Sequence, residues 1–338
     1  MATRIGWSRV GSKRRFRYLD AHGEQITDEQ KLDRIRSLAI PPAWRDVWIS
    51  PSARSKLQAT GVDAAGRKQY LYHPAYRAKQ EEAKYAKLIR FAERLPDLRE
   101  AMAGHMELEE LPEEKVAAIA TRLVNLGWFR VGGDRYAKTS RTFGITTLHK
   151  RHVRIRGSRI TFSYRAKHSI MARSAVVDAE LAAAMRDLVE LPGPRLFQFV
   201  NGDGRRCNLD QRRLNAYIKQ HLGAEFSAKD FRTWGGTLLA AIELARRGPA
   251  ESPTEAKRRV AAVMRSVAAE LGNTPAVARS SYVSPAVIEQ YLDGRTIADF
   301  RPRHLRVVGA RDKGLSPEEQ ATLSLLRSWR IRASRAAA

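Results

Sequence analysis

A single cysteine, Cys207, stands among 338 residues, which excludes an internal disulfide framework and fits a reducing compartment. No run approaches the roughly 18 consecutive apolar residues of a membrane span. The opening MATRIGWSRVGSKRRF is basic but lacks the apolar stretch of a signal peptide. A basic amphipathic segment with Trp, Phe or Leu on its other face is missing too, so a membrane-surface role finds no support and no membrane partner is expected. Repeats are absent, and low complexity is confined to the C-terminal tail. Acidic residues are in short supply: 36 Asp+Glu face 61 Lys+Arg, a net charge of +25. Self-repulsion of that size destabilises a fold unless a polyanion is its working partner. The basic residues run the whole length of the chain instead of forming a tail. Nucleic acid is the partner these features favour.

At 43% hydrophobic residues the chain can bury a core, and its length fits two domains. Residues 1–78 read as small and β-rich. Segment 14–18 alternates basic and aromatic side chains, 47–50 and 69–72 carry further strand signals, and a short helix over 28–38 ends before Pro41 and Pro42. From Ala75 to Leu95 the apolar spacing turns helical, leading into a second domain over 79–338. There a helix over 112–129 precedes a glycine-containing segment, 131–144, and a β-meander with strands over 152–156, 159–164 and 169–176. Helices over 178–189, 209–221, 228–247, 254–271 and 316–333 fill most of the rest. The expected class is α+β: a small β-rich N-terminal domain, then a mostly helical domain with a small antiparallel sheet.

The chemistry is carried by a few side chains of the second domain. In LGNTPAVARSSYVSP, Tyr282 follows Asn273 by nine positions, and KDFRTWGGT sets Arg232 in the middle of an apparent helix. A tyrosine that attacks a phosphodiester must lose the proton of a phenol with a pKa of about 10. Its phosphorane-like transition state gathers negative charge on two non-bridging oxygens, which guanidinium groups meet with permanent charge and forked donors. The departing 5′-oxygen needs a proton, which a lysine can supply. Each of these roles has a candidate in the chain. Tyr282 would be the nucleophile, Arg130 and Arg232 would serve the oxygens, Lys167 in SYRAKHS would be the acid, and Asn273 a further donor. Gly132 and Gly133, just after Arg130, would let backbone approach a phosphate. Alone, each has a plainer reading: a helix-end arginine, a solvated turn lysine, a core or rim tyrosine. Their order and spacing raise them above it.

That set in that order resembles the type IB DNA topoisomerases, specifically the compact poxvirus-like branch found in bacteria. The resemblance rests on IPPAWRDVWISP and GRKQYLYHP in the first domain, then RVGGDRYAKTSRTFGITTL, SYRAK, KDFRTWGGT and LGNTPAVARSSYVSP in the second. It implies the tyrosine recombinase/type IB topoisomerase catalytic fold, with Arg130, Lys167, Arg232 and Tyr282 catalytic. It further implies a monomer that relaxes supercoiled duplex DNA with no cofactor, neither ATP nor an essential metal. Tyr282 would cut one strand through a 3′-phosphotyrosyl link, the duplex would swivel, and the freed 5′-hydroxyl would reseal it, with the two domains closing on the DNA as a clamp. The bacterial cytoplasm, at the nucleoid, is the expected location. Viral and eukaryotic members have histidine where this chain has Asn273, whose amide N–H₂ can still donate to a non-bridging oxygen. The lysine turn reads YRAK, so Arg165 stands where glycine or proline is often found. It would share a strand face with Lys167 if the strand ran that far.

Similarity of GRKQYLYHP to the poxvirus RKQYFYGK segment implies major-groove and phosphate contacts for Gln69, Tyr70 and Tyr72, with Gln69 and Leu71 facing one way and the tyrosines the other. Tyr136, following Arg135, matches a phosphate-contacting tyrosine of the family. A tyrosine recombinase uses a related Arg–Lys–Arg–Tyr set, but its usual His-x-x-Arg box is lacking, because Lys229 stands three residues before Arg232. An architectural DNA binder accounts for the charge and gives no reason for a nucleophile in this setting. Arg301, Arg303, Arg306, Arg327, Arg330 and Arg332 read as a solvated helix face in preference to extra DNA contacts.

Overall fold

Short strands joined by turns build an antiparallel sheet in the first unit of the chain, Met1–Ala86. The computed structural model describes residues 5–12, 15–300 and 314–337. Strands β1 (Trp7–Ser12), β2 (Arg15–Leu19), β3 (Arg45–Ile49), β4 (Leu57–Val62) and β5 (Lys68–Tyr72) lie in the order β2-β1-β3-β4-β5. Between β2 and β3 runs α1 (Glu29–Ser37), started by Asp28, whose carboxylate accepts from the Lys31 N–H. Its Ile35 joins Trp7, Ile26, Val47, Ile49 and Ala59 in the core, with Leu71 of β5 packed against them. The expected segments 28–38, 47–50 and 69–72 fall on α1, β3 and β5, and 15–18 on β2; Arg14 lies outside the described residues. Strand β4 gave no signal because its four central residues are all buried, so no alternation exists to be read.

The second unit, Lys87–Ala338, is mainly helical. Helix α2 (Pro74–Met106) spans the division between the units and continues past Pro96, where the periodic window ends. Burial of Leu95, Leu98 and Met102 outweighs the hydrogen bond that proline removes. Next come α3 (Glu113–Gly127) and α4 (Asp134–Thr139), then a meander of β6 (Val153–Arg156), β7 (Arg159–Arg165) and β8 (Met171–Val177). After α5 (Ala179–Glu190) a hairpin of β9 (Gln198–Val200) and β10 (Arg206–Asn208) forms a second small sheet. Helices α6 (Gln211–Leu222), α7 (Ala228–Arg247), α8 (Pro253–Leu271), α9 (Pro275–Ser281), α10 (Pro285–Leu292) and α11 (Pro317–Ala337) complete the unit. At its centre is α3, whose Val116, Ile119, Ala120, Leu123 and Val124 are unexposed among α5, α6, α7, β8 and β9. The class is mixed α+β.

Helix α4, the β9–β10 hairpin and the short helices α9 and α10 are additions to the expected elements. Both α9 and α10 begin on a proline, which is preorganised for a first helical position. Helix α11 is not solvated all round: Ala321, Leu323, Leu325 and Leu326 are buried, while Arg327 pairs with Glu93 at 2.6 Å and Arg332 with Asp293 at 3.0 Å. Arg330 is exposed, and Arg301, Arg303 and Arg306 lie outside the described residues. Among the described residues no helix is long and apolar enough to cross a membrane.

A candidate active site around Tyr282

Two helix ends converge on a pair of arginines. Helix α3 stops at Trp128, a C-cap in the left-handed region (φ 50°, ψ 35°), and its carbonyl accepts from Arg232 Nη1 at 2.6 Å. Helix α8 stops at Gly272 (φ 60°, ψ 50°), the residue type that takes this conformation without strain. There the Leu271 carbonyl accepts from Arg232 Nη2 at 2.6 Å, and the Gly272 carbonyl from Arg130 Nη2 at 2.6 Å. Unpaired carbonyls and the negative end of the helix dipole both favour cations at these positions. Asn273 completes the frame: its Oδ1 accepts from Arg130 Nη2 at 2.9 Å, and its Nδ2 donates to the Leu271 carbonyl at 3.2 Å. Burial, and then the neighbouring Arg232, lower the pKa of Arg130, while Tyr282 and Tyr164 act in the opposite sense.

Arg232 is the fifth residue of α7, nearer the start of the helix than its middle, and only 6% exposed. The start is pinned by Asp230, which accepts from the Ser227 N–H at 2.8 Å and pairs with Lys87 at 2.8 Å. The Arg232 guanidinium lies 5.0 Å from the centroid of the Tyr282 ring. Tyr282 itself caps α9, its N–H donating to Ala278 O at 3.0 Å. The Tyr282 carbonyl accepts from Thr237 Oγ1 at 3.3 Å, and that oxygen accepts from the Ser284 N–H at 3.1 Å. Its own hydroxyl has no hydrogen-bond partner among the described residues.

The two glycines inside α7 belong to this arrangement. A Cβ on Gly235 would meet Trp128 Nε1 at 2.3 Å, and one on Gly236 would meet the Tyr282 carbonyl at 2.7 Å. Glycine weakens a helix interior by about 1 kcal/mol relative to alanine. Here its lack of a side chain lets Trp128 and Tyr282 lie directly on α7.

Of the remaining sequence candidates in the second unit, none shares a hydrogen bond or ring contact with Arg130, Arg232, Asn273 or Tyr282 among the described residues. Lys167 is exposed, opens a short turn over Lys167–Ser169, and has no hydrogen-bond partner among the described residues. His168 and Ser169 take φ of 63° and 59°, and the Ala166 N–H donates to Ile170 O at 2.8 Å. Strand β7 ends at Arg165, so the unbroken strand that would align Arg165 with Lys167 is not formed. Arg135 and Tyr136 lie on α4, with Tyr136 61% exposed. Gly132 and Gly144 press closely on each other: a Cβ on Gly144 would sit 2.6 Å from Gly132 Cα, and Gly132 has φ +87°. In the first unit, Tyr70 and Tyr72 are exposed on the edge strand β5 and stack at 6.2 Å. Gln69 alternates with them, and its Nε2 donates to Asp63 Oδ2 at 2.8 Å.

Three contributors had no expectation attached to them: Trp128, Thr237 and Tyr164. Paired glycines in a helical segment were the available signal for the first two, since such a pair marks a place where other chain presses close. Tyr164 is 6% exposed, and burial pushes its phenol up to about 12 against the opposing pull of Arg130 and Arg232. Among the described residues no group of three His, Cys, Asp or Glu is placed to hold a metal ion.

Comparison with known proteins places these residues within shared sequence. Residues 73–298 match the family described as eukaryotic DNA topoisomerase I, catalytic core, and residues 15–63 match bacterial DNA topoisomerase IB, N-terminal domain. DNA topoisomerase 1B of Acanthamoeba polyphaga mimivirus is 31% identical over 288 residues, covering 83% of this chain and 85% of the relative. DNA topoisomerase I of monkeypox virus and DNA topoisomerase 1B of vaccinia virus (strain Copenhagen) are each 20% identical over 272 residues, covering 79% of this chain and 83% of theirs.

Proposed function

Because the chain belongs to the type IB DNA topoisomerases, and so relaxes supercoiled DNA, we propose that Tyr282 is its nucleophile. The supporting observation is the convergence of Arg130, Arg232, Asn273 and Tyr282 on one place, although 143 positions separate Arg130 from Asn273. Two guanidinium groups held this close repel each other, and a bound phosphate relieves that repulsion.

In the cleavage step the Tyr282 hydroxyl oxygen bonds to phosphorus and the bond from phosphorus to the 5′-oxygen breaks. The phenol proton passes to water, and Lys167 gives a proton to the 5′-oxygen once bound DNA brings its turn and the leaving group together. Arg130 and Arg232 stabilise the charge on the non-bridging oxygens. Asn273 orients Arg130 through its Oδ1, and its second amide N–H is left to donate to the same phosphate. Resealing reverses each transfer. The phosphotyrosyl ester conserves the energy of the broken bond, so the cycle requires neither ATP nor a metal ion.

The β-rich segment 1–78 serves as a DNA-binding domain through Gln69, Tyr70 and Tyr72, and residues 79–338 form the catalytic domain, with Arg135, Tyr136 and Arg165 on the phosphate backbone. The enzyme acts on duplex DNA as a monomer in the bacterial cytoplasm, at the nucleoid. Incubation with negatively supercoiled plasmid in EDTA, without ATP, tests the reading. Wild-type protein should yield relaxed topoisomers and Tyr282→Phe none. Relaxation by the variant, or trapped protein on a 5′ rather than a 3′ DNA end, would sink the assignment.

A further inference from the structure

Tyr164 is the group in this site that the mechanism leaves without a role. It sits on β7, its ring stacked on Phe129 at 6.4 Å and 21° and lying 6.3 Å from His152. Phe129 immediately precedes Arg130, so the stack fixes the ring beside the arginine pair, and the phenol lies within electrostatic reach of both Arg130 and Arg232. A buried tyrosine ordinarily finds a hydrogen-bond partner for its hydroxyl. This one has none among the described residues. Its oxygen is also not sealed off from solvent, in contrast to the unpartnered Arg232 Nε and Ser284 Oγ. An unsatisfied donor thus stands beside two cations.

We propose that Tyr164 is a further catalytic residue, donating its O–H to a non-bridging oxygen of the scissile phosphate alongside Arg130 and Arg232. The inference rests on the reading of Tyr282 as nucleophile. Tyr164 does not compete for that role, because burial keeps its phenol protonated and its ring is covered on the Phe129 side. A neutral donor fixed in place strengthens its bond as charge builds on the oxygen in the transition state, and needs no reorganisation to do so.

Tyr164→Phe retains the ring and its stacking and removes only the oxygen. On a duplex with one mapped cleavage site, its single-turnover cleavage should be slower than wild type by on the order of 10- to 100-fold. Stereochemically pure methylphosphonates at the scissile position identify the cause. Where methyl replaces the oxygen that Tyr164 bonds, variant and wild type should cleave equally fast, and the other isomer should keep the deficit. Because both isomers are compared with the same variant, a change in its stability does not blur the result. A wild-type rate on the phosphate, or one deficit common to both isomers, overturns the proposal. Tyr282→Phe run in parallel separates the two readings. Cleavage by Tyr282→Phe brings down both, whereas inactive Tyr282→Phe beside unimpaired Tyr164→Phe removes Tyr164 alone.

Discussion

Adding one methyl group at Gly236 probes the seat of Tyr282, the proposed nucleophile. Alanine there favours the helix by about 1 kcal/mol. Its Cβ, however, would sit 2.7 Å from the Tyr282 carbonyl and 3.1 Å from the Tyr282 Cβ, and neither is the free end of a flexible chain. Overpacking of this kind destabilises by about 1–3 kcal/mol, so the two effects largely offset. Gly236→Ala should therefore melt close to wild type while single-turnover cleavage falls about 100-fold, the scale set by a misplacement of about 1 Å. Thermal unfolding and cleavage kinetics on the same preparation check this, and an unchanged rate would show that Tyr282 is not held through α7. At this scale the sequence exposes side chains with chemistry of their own, which is why Arg130, Arg232, Asn273 and Tyr282 could be named and stand together. Trp128 contributes its peptide carbonyl, a group every residue has, and Tyr164 was hidden as an ordinary aromatic on a strand.

Among elements, α11 braces the helix that carries Arg232. Glu319 of α11 accepts from Arg99 at 2.8 and 2.9 Å, from the Ser316 N–H at 2.9 Å and from Trp234 Nε1 at 3.3 Å. Burial alone would raise its pKa, but Arg99 and the other donors hold it below the ordinary glutamate value of 4.5. With the folded pKa depressed, the stabilisation is complete above that value and is lost as pH falls through the lower, folded one. Glu319→Gln should thus lower stability by about 3 kcal/mol at pH 7. The gap to wild type should close as the pH drops below the glutamate range. Denaturant unfolding across pH measures it, and a gap that does not change with pH would rule the ion pair out as its source. Long periodic helices such as α7 and α8 were legible in advance because one face is apolar and one polar. The β4 strand, buried at all four central positions, and the one- or two-turn helices α9 and α10 are too uniform or too short to produce a period.

The whole molecule is governed by its charge. Each phosphate neutralised by a Lys or Arg releases a counterion, so affinity for DNA falls steeply with salt. For about six such contacts, binding should weaken on the order of 10³-fold between 50 and 200 mM salt. Fluorescence anisotropy of a labelled duplex across that range tests it, and a shallow slope would mean that the +25 charge serves something other than DNA. Composition alone pointed to the class of partner because net charge needs no folding to be read. It could not show where the charge is concentrated, since that depends on which helix ends meet.

Arg130 and Arg232 are held by peptide carbonyls and one amide, and among their described hydrogen-bond partners there is no carboxylate. Their positive charge is thus not cancelled from within. An acidic holder would have to be displaced whenever a phosphate arrived and would reclaim the arginines whenever it left. Neutral holders make no such claim. In the proposed mechanism, neither the intact phosphodiester nor the phosphotyrosyl ester then has to displace a carboxylate from these arginines, so the same two cations are open to the phosphate in cleavage and in resealing.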